Sequence, residues 1–305
     1  MPDTPAVHVG PGERKDLEEA VRRAGGRVTA LDDADAVVWA AGPGELPDLP
    51  DSVRWVQLPS AGIESWFSAG RVDRDRTWTS AAGAYSEAVA EHAVALLLAG
   101  VRGLAFSARA RTWDAEASAA PQTTLRGSTV AIIGAGGIGR AMIPALTALG
   151  ATVLAVTRRG RDVPGAAETL PADRVEEVWG RADHVVLAAP ATSGTKALVG
   201  AEQLAALGPR GWLVNIARGS LVDTGALADA LSRGAIAGAA LDVTDPEPLP
   251  DDHPLWSEPR ALITPHVANP PQLQTGGLAA RVGENVRRFA AGEELVGVVD
   301  VDAGY

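Results

Sequence analysis

The stretch Thr129-Val130-Ala131-Ile132-Ile133-Gly134-Ala135-Gly136-Gly137-Ile138-Gly139 decides the fold. Its first five residues are mostly apolar and β-branched, and they predict a strand. Glycines 134, 136 and 139 then match G-x-G-x-x-G, and Ala141–Leu149 carries a helical pattern. In such a strand–turn–helix the first glycine allows a tight turn. The second lets a pyrophosphate approach the backbone, and the third lets the helix pack closely on the strand. The helix N-terminus adds free N–H groups and a partial positive charge. Gly134, Gly136, Gly137, Ile138 and Gly139 are therefore expected to hold a dinucleotide. With 34 glycines in the chain a chance match is a real competitor. The flanking strand and helix are the context that argues against it.

Outward from this unit, strand-like and helix-like segments alternate. Strands are expected at Ala6–Gly10, Ala36–Ala40, Arg54–Leu58, Thr152–Thr157, His184–Ala188, Gly211–Asn215, Ala237–Asp242 and Ala261–Ile263. Helices are expected at Glu13–Ala24, from Ser86 to about Arg109, and at Leu278–Ala290. In the long one Val89, Ala93, Leu96, Leu97 and Val101 recur at helical spacing. A strand-like Val296–Val301 closes the chain, and the polar, proline-bearing stretch from Trp113 to Arg126 is expected to wrap the surface. The alternation predicts βαβ units and parallel sheets.

Bulk properties bound the function. A chain of 305 residues suggests two domains. A formal net charge of −11 argues against nucleic acid and anionic membranes as partners. Zero cysteines exclude disulfides and thiolate chemistry. The start Met1-Pro2-Asp3-Thr4-Pro5 lacks the basic and apolar regions of a signal peptide, and the longest apolar run, Ala93–Val101, is too short for a span. A cytoplasmic protein is expected. No metal-ligand spacing, nucleophile elbow or Gly-Lys-Ser/Thr loop occurs, so no metal is expected. Eight tryptophans are scattered, which suggests packing, with Trp66 and Trp256 as candidates for a cleft edge.

The strand after the glycine turn should end in an acid where the adenosine ribose 2′-OH is bound. Here it ends Ala155-Val156-Thr157-Arg158-Arg159. A guanidinium at that place could pair with a 2′-phosphate. NADP(H) is the expected cofactor through Arg158, helped by Arg159 or Thr157, with NAD(H) as the alternative.

Three further residues carry chemistry: Arg218 in Asn215-Ile216-Ala217-Arg218-Gly219-Ser220, Glu247 in Asp245-Pro246-Glu247-Pro248, and His266 in Thr264-Pro265-His266-Val267-Ala268. A fixed cation, a carboxylate and an imidazole suit hydride transfer at a carbon that also bears a carboxylate. A guanidinium can hold a carboxylate in two hydrogen bonds. A carboxylate beside an imidazole orients it for proton transfer.

Together these motifs resemble the D-isomer-specific 2-hydroxyacid dehydrogenases. The resemblance extends to Gln57–Gly62, Val89-Ala90-Glu91-His92, Leu125-Arg126-Gly127, Ala240–Val243, Pro246–Leu249 and His253–Trp256. It implies two doubly wound α/β domains, a Rossmann nucleotide-binding domain (97–271) inserted into a flavodoxin-like substrate domain (1–96 plus 272–305), with the active site in the cleft between them. It implies Arg218 as the substrate-binding arginine, His266 as acid/base and Glu247 as its partner. Ala61 and Gly62 would hold the substrate carboxylate, and Asp242 the nicotinamide carboxamide. Pro190 and Ala217 would line the cofactor. His92 is expected to pack or to make an interdomain contact. A homodimer is implied, paired around Arg102–Trp113.

The chain departs from the family pattern at Val267-Ala268-Asn269-Pro270-Pro271, and Glu64 stands where Asp is common. The leading expectation is reduction of a small 2-oxo acid, glyoxylate or hydroxypyruvate, to the D-2-hydroxy acid. Two alternatives stay open: an NAD-dependent dehydrogenase of phosphoglycerate or a bulky D-hydroxy acid, and a nucleotide-sensing binding protein with little turnover.

Overall fold

The computed structural model describes residues 4–116 and 122–304. The chain forms two compact units, residues 1–85 with 270–305, and residues 86–269. It passes from the first to the second at Tyr85–Ser86 and returns at Asn269–Pro270.

The first unit carries β1 (Ala6–Gly10), α1 (Lys15–Arg23), β2 (Arg27–Val28), β3 (Ala36–Trp39), β4 (Trp55–Gln57), α2 (Glu64–Ser68), β5 (Thr77–Thr79) and a late helix, α8 (Pro271–Ala291). Its five strands run parallel in the order β2-β1-β3-β4-β5. That order is the flavodoxin-like one. Successive residues of β3 serve opposite faces: Ala36 and Val38 join Leu17, Val21, Val282 and Val286, whereas Val37 and Trp39 join Trp66 and Trp78. Near-continuous apolar runs follow from this two-sided burial. Trp66 is therefore a core residue at 2% exposure and no cleft edge.

A buried polar knot ties the late helix to this sheet. Gln57 Oε1 accepts from Thr79 Oγ1 and from Asn285 Nδ2, both at 3.0 Å, and Asn285 Oδ1 accepts from Val296 N at 2.8 Å. The tail expected as a strand at Val296–Val301 makes only an isolated antiparallel bridge, Val298 with Thr79. Gly297 has φ 78°, which turns the chain out of the extended path a ladder needs.

The second unit carries α3 (Ser86–Val101), α4 (Leu104–Arg109), β6 (Thr129–Ile133), α5 (Gly137–Ala148), β7 (Thr152–Thr157), β8 (Glu168–Pro171), β9 (His184–Leu187), α6 (Ala201–Leu207), β10 (Trp212–Asn215), α7 (Thr224–Ser232), β11 (Gly238–Leu241) and β12 (Ala261–Ile263). Seven parallel strands lie in the order β12-β11-β10-β9-β6-β7-β8. Counted from β6, six of them follow the Rossmann order 3-2-1-4-5-6, and β12 adds an edge. The order reverses between β6 and β9, where such sheets bind ligands beyond the strand ends.

Helix α3 packs on this sheet. Val89, Ala93, Leu96, Leu97 and Val101 share a core with Ile132, Met142, Ile143 and Trp212. At Gly100 a Cβ would lie 2.4 Å from the Trp212 ring, so only glycine lets the helix approach so closely. Residues 86–96, assigned from sequence to the first domain, thus pack with the second unit. The boundaries at 96/97 and 271/272 move to 85/86 and 269/270. The helix expected to reach Arg109 stops at Val101, because Gly103 takes a left-handed φ of 60° and α4 starts anew. Of the surface stretch expected from Trp113 to Arg126, residues 117–121 lie outside the described residues. Among the described residues no helix is long and apolar enough to cross a membrane.

Candidate active site

At the switch point β6 ends in Gly134 with φ 96°. A Cβ there would sit 2.4 Å from Ala189 N and 2.6 Å from Ala188 C, in the turn after β9. No side chain fits, so the two turns touch backbone to backbone. A Cβ on Gly139 would meet Gly134 O and Ile132 Cγ2, both at 3.0 Å, so this glycine lets α5 lie close to β6. Gly136 and Gly137 are exposed and Ile138 is half-buried. Nothing lies within 4 Å of a Cβ on Gly136, which leaves the start of α5 open. These are the features a dinucleotide pyrophosphate needs.

At the end of β7, Arg158 and Arg159 are exposed. The Thr157 hydroxyl is buried and has no hydrogen-bond partner among the described residues. A buried orphan hydroxyl is uncommon and suits a ligand oxygen. Pro190, in the turn after β9, is exposed, and its carbonyl accepts from Thr195 Oγ1 at 2.8 Å.

The loop after β10 presents Arg218. Asn215, fully buried, braces it from inside: its Oδ1 accepts from Ala217 N at 3.0 Å and its Nδ2 donates to Arg218 O at 2.9 Å. The Arg218 guanidinium donates to Ala217 O at 2.6 Å. A Cβ on Gly219 would lie 1.9 Å from Thr244 O, so this loop is pressed against the one that leads to Glu247. Asn215 was not singled out from the sequence. Its signal was a polar residue closing an apolar strand just before the arginine.

His266 and Glu247 meet. The imidazole Nδ1 lies 2.7 Å from Glu247 Oε1, with 53% and 43% of the two side chains exposed. A carboxylate accepts only, so Nδ1 carries the hydrogen and Nε2 is left to face solvent or a ligand. His266 has φ 53°, a left-handed conformation that costs an L-residue about 1–2 kcal/mol. Its own N–H donates to Asp242 O at 2.8 Å and to Thr264 O at 3.0 Å.

Asp242, 2% exposed, organises that loop. Its Oδ1 accepts from Thr264 Oγ1 at 2.6 Å and Val267 N at 2.9 Å, and its Oδ2 from Ala268 N at 3.1 Å. His92 of α3, expected to pack or to make an interdomain contact, has Nε2 3.1 Å from Thr264 Oγ1 and 3.4 Å from Asp242 Oδ1. Arg218, Asp242, Glu247 and His266 all belong to the second unit, with the glycine turn. Ala61 and Gly62 belong to the first, in the loop between β4 and α2, where Ser60 Oγ donates to Gly62 O at 2.6 Å. Six of the eight tryptophans are buried, while Trp113 and Trp256 are exposed. Among the described residues no cluster of three His, Asp or Glu could hold a metal.

The family described as D-isomer specific 2-hydroxyacid dehydrogenase, NAD binding domain, matches residues 94–268. The chain is 43% identical over 297 residues to an uncharacterised protein of Corynebacterium melassecola encoded 3′ of proB, covering 94% of this chain and 95% of the relative. It is 35% identical over 179 residues to glyoxylate/hydroxypyruvate reductase A of Serratia proteamaculans, covering 58% of this chain and 56% of that protein's length. Among solved structures, a D-isomer specific 2-hydroxyacid dehydrogenase from Xanthobacter autotrophicus in complex with NADPH and MES superposes with a TM-score of 0.81 at 25% identity, over 99% of this chain and 100% of the other. The chain belongs to the D-isomer specific 2-hydroxyacid dehydrogenase family.

Proposed function

We propose that this protein reduces a small 2-oxo acid of glyoxylate or hydroxypyruvate size to the D-2-hydroxy acid, and prefers NADP(H) to NAD(H). The observation that carries the reading is the 2.7 Å contact between His266 Nδ1 and Glu247 Oε1, in the same unit as Arg218 and the glycine turn. Similarity to a glyoxylate/hydroxypyruvate reductase supports the substrate class, and likeness to an NADPH complex supports the cofactor.

Gly134, Gly136, Gly137, Ile138 and Gly139 would hold the pyrophosphate at the start of α5. Thr157, Arg158 and Arg159 would take the 2′-phosphate, with the orphan Thr157 hydroxyl as one donor. Pro190, Ala217 and Asp242 would border the rest of the cofactor. When bound, the reduced nicotinamide supplies a hydride to the carbonyl carbon. Arg218 would grip the substrate carboxylate and polarise the neighbouring ketone. Ala61 and Gly62 would offer backbone N–H groups to a carboxylate.

His266 Nε2 would give its proton to the carbonyl oxygen as that oxygen gains charge. The ring then keeps the Nδ1 hydrogen toward Glu247, which stays a carboxylate throughout. In the reverse direction Nε2 accepts the hydroxyl proton. A homodimer is part of the proposal. Leu104, Phe106 and Trp113 are exposed by 55%, 38% and 98%, apolar surface that a second copy would cover. A monomeric mass by light scattering would count against it.

The test is initial rates with NADPH and NADH on glyoxylate, hydroxypyruvate, pyruvate and phenylpyruvate, beside His266→Ala. Fast NADPH-linked turnover of the small acids that vanishes in the variant is expected. Higher efficiency with NADH would overturn the cofactor preference. Cofactor binding without turnover of any acid would favour the binding-protein alternative.

A further inference from the structure

We propose that His92 is a positioning residue for His266, acting through Thr264 and the buried carboxylate of Asp242. This rests on the reading of His266 as the acid/base.

The hydrogen bonds can be assigned by elimination. The carboxylate of Asp242 accepts only, so the Thr264 hydroxyl, 2.6 Å away, must donate its one hydrogen to Oδ1. Thr264 Oγ1 is then an acceptor toward its other neighbour. That neighbour is His92 Nε2 at 3.1 Å, which must therefore carry a hydrogen, and the same N–H lies 3.4 Å from Asp242 Oδ1. His92 thus closes a chain that starts on α3 and ends in a carboxylate with 2% exposure.

What the carboxylate holds is the loop around His266. Thr264 is bonded to it on one side, and Val267 and Ala268 on the other. Between them lie Pro265 and His266, and His266 has φ 53°, a conformation that persists only where its surroundings impose it. Val89, Ala90 and Ala93, around His92 on α3, are buried in the sheet-facing core, so this donor is offered from a rigid element. A merely packing side chain would fill the same space without the N–H. Losing that donor would let the Thr264 hydroxyl and the carboxylate rotate, and His266 would spend less time directed by Glu247. Small errors of placement cost rate more than binding.

The experiment pairs His92→Leu, which keeps bulk without a donor, with His92→Gln, whose side-chain N–H can reach the place of Nε2. Amide hydrogen exchange at Val267 and Ala268 is measured on the protein without substrate, and kcat and KM on the acid turned over best. The expectation for His92→Leu is exchange about tenfold faster at both amides and kcat about tenfold lower, with KM changed by no more than about twofold. His92→Gln should restore both readouts to near the parent values. Equal behaviour of the two variants, whether both normal or both impaired, would overturn the proposal. Should His92→Leu fail to fold, Thr264→Val removes the bridging hydroxyl and should give the same faster exchange. If the parent protein turns over no 2-oxo acid, the functional reading falls, while the exchange measurement still decides the His92 link.

Discussion

His184 gives the second unit a built-in sensitivity to acid. It opens β9 with 2% exposure, its Nδ1 accepts from Trp212 N at 3.3 Å, and its Nε2 has no partner among the described residues. Burial pushes its pKa from 6.5 down to about 4, against a smaller opposite pull from Asp183. Its neutral form is the one the fold accepts. The unfolded chain binds a proton as pH falls through about 6.5, while the native chain binds it only near 4. Stability from this residue is therefore fully present above pH 6.5 and is lost as pH falls toward 4. The full difference amounts to roughly 3 kcal/mol, of which about 2 kcal/mol is lost already at pH 5. His184→Asn keeps an acceptor for the Trp212 N–H and removes the titration. Urea unfolding at pH 7 and pH 5, followed by tryptophan fluorescence, measures the pH-dependent loss in each protein. The parent should lose about 2 kcal/mol more than the variant over that interval. Equal losses would refute the reasoning, since carboxylates elsewhere act alike in both.

Two substitutions at the site make further tests. Gly134→Ala puts a Cβ at 2.4 Å from the Ala189 backbone with φ at 96°. Strain and overpacking should lower stability by about 2–4 kcal/mol and weaken NADPH binding at least about tenfold in a fluorescence titration. Unchanged stability and affinity would mean the turn has room that its geometry denies. Glu247→Gln keeps the shape beside His266 and removes the charge. It should lower kcat about 10- to 100-fold with little change in KM, the range of a charge-assisted hydrogen bond. A kcat equal to the parent's would remove Glu247 from the reading.

Much of this was legible because parallel sheets buried on both faces leave long apolar runs. Thr129–Ile133 and Thr152–Thr157 appear in the structure with the bounds expected from sequence. Strands without such runs were missed: Arg27–Val28 is two residues long, Glu168–Pro171 is half polar, and Thr77–Thr79 pairs polar ends with one buried tryptophan. Helix α3 was overextended because Leu104 and Phe106 continue its apolar character, and only the φ of Gly103 ends it. At the site, the residues in unusual proline and glycine settings, Arg218, Glu247 and His266, could be picked out. Their supports could not. His92 and Thr264 act through a hydrogen bond between positions 172 residues apart, whereas Asn215 braces its immediate neighbours Ala217 and Arg218 and left only the signal of a polar residue closing an apolar strand. No local pattern announces a bond as distant as that between His92 and Thr264.

The most direct test of the central claim is isotope transfer. The protein is incubated with glyoxylate and NADPH that carries deuterium at the transferable C4 position of the nicotinamide, and the glycolate formed is weighed by mass spectrometry. The account predicts glycolate with one deuterium, formed with many turnovers by the parent and by His266→Ala at least about a thousandfold more slowly. Glycolate without deuterium, no glycolate at all, or equal rates from the two proteins would contradict it.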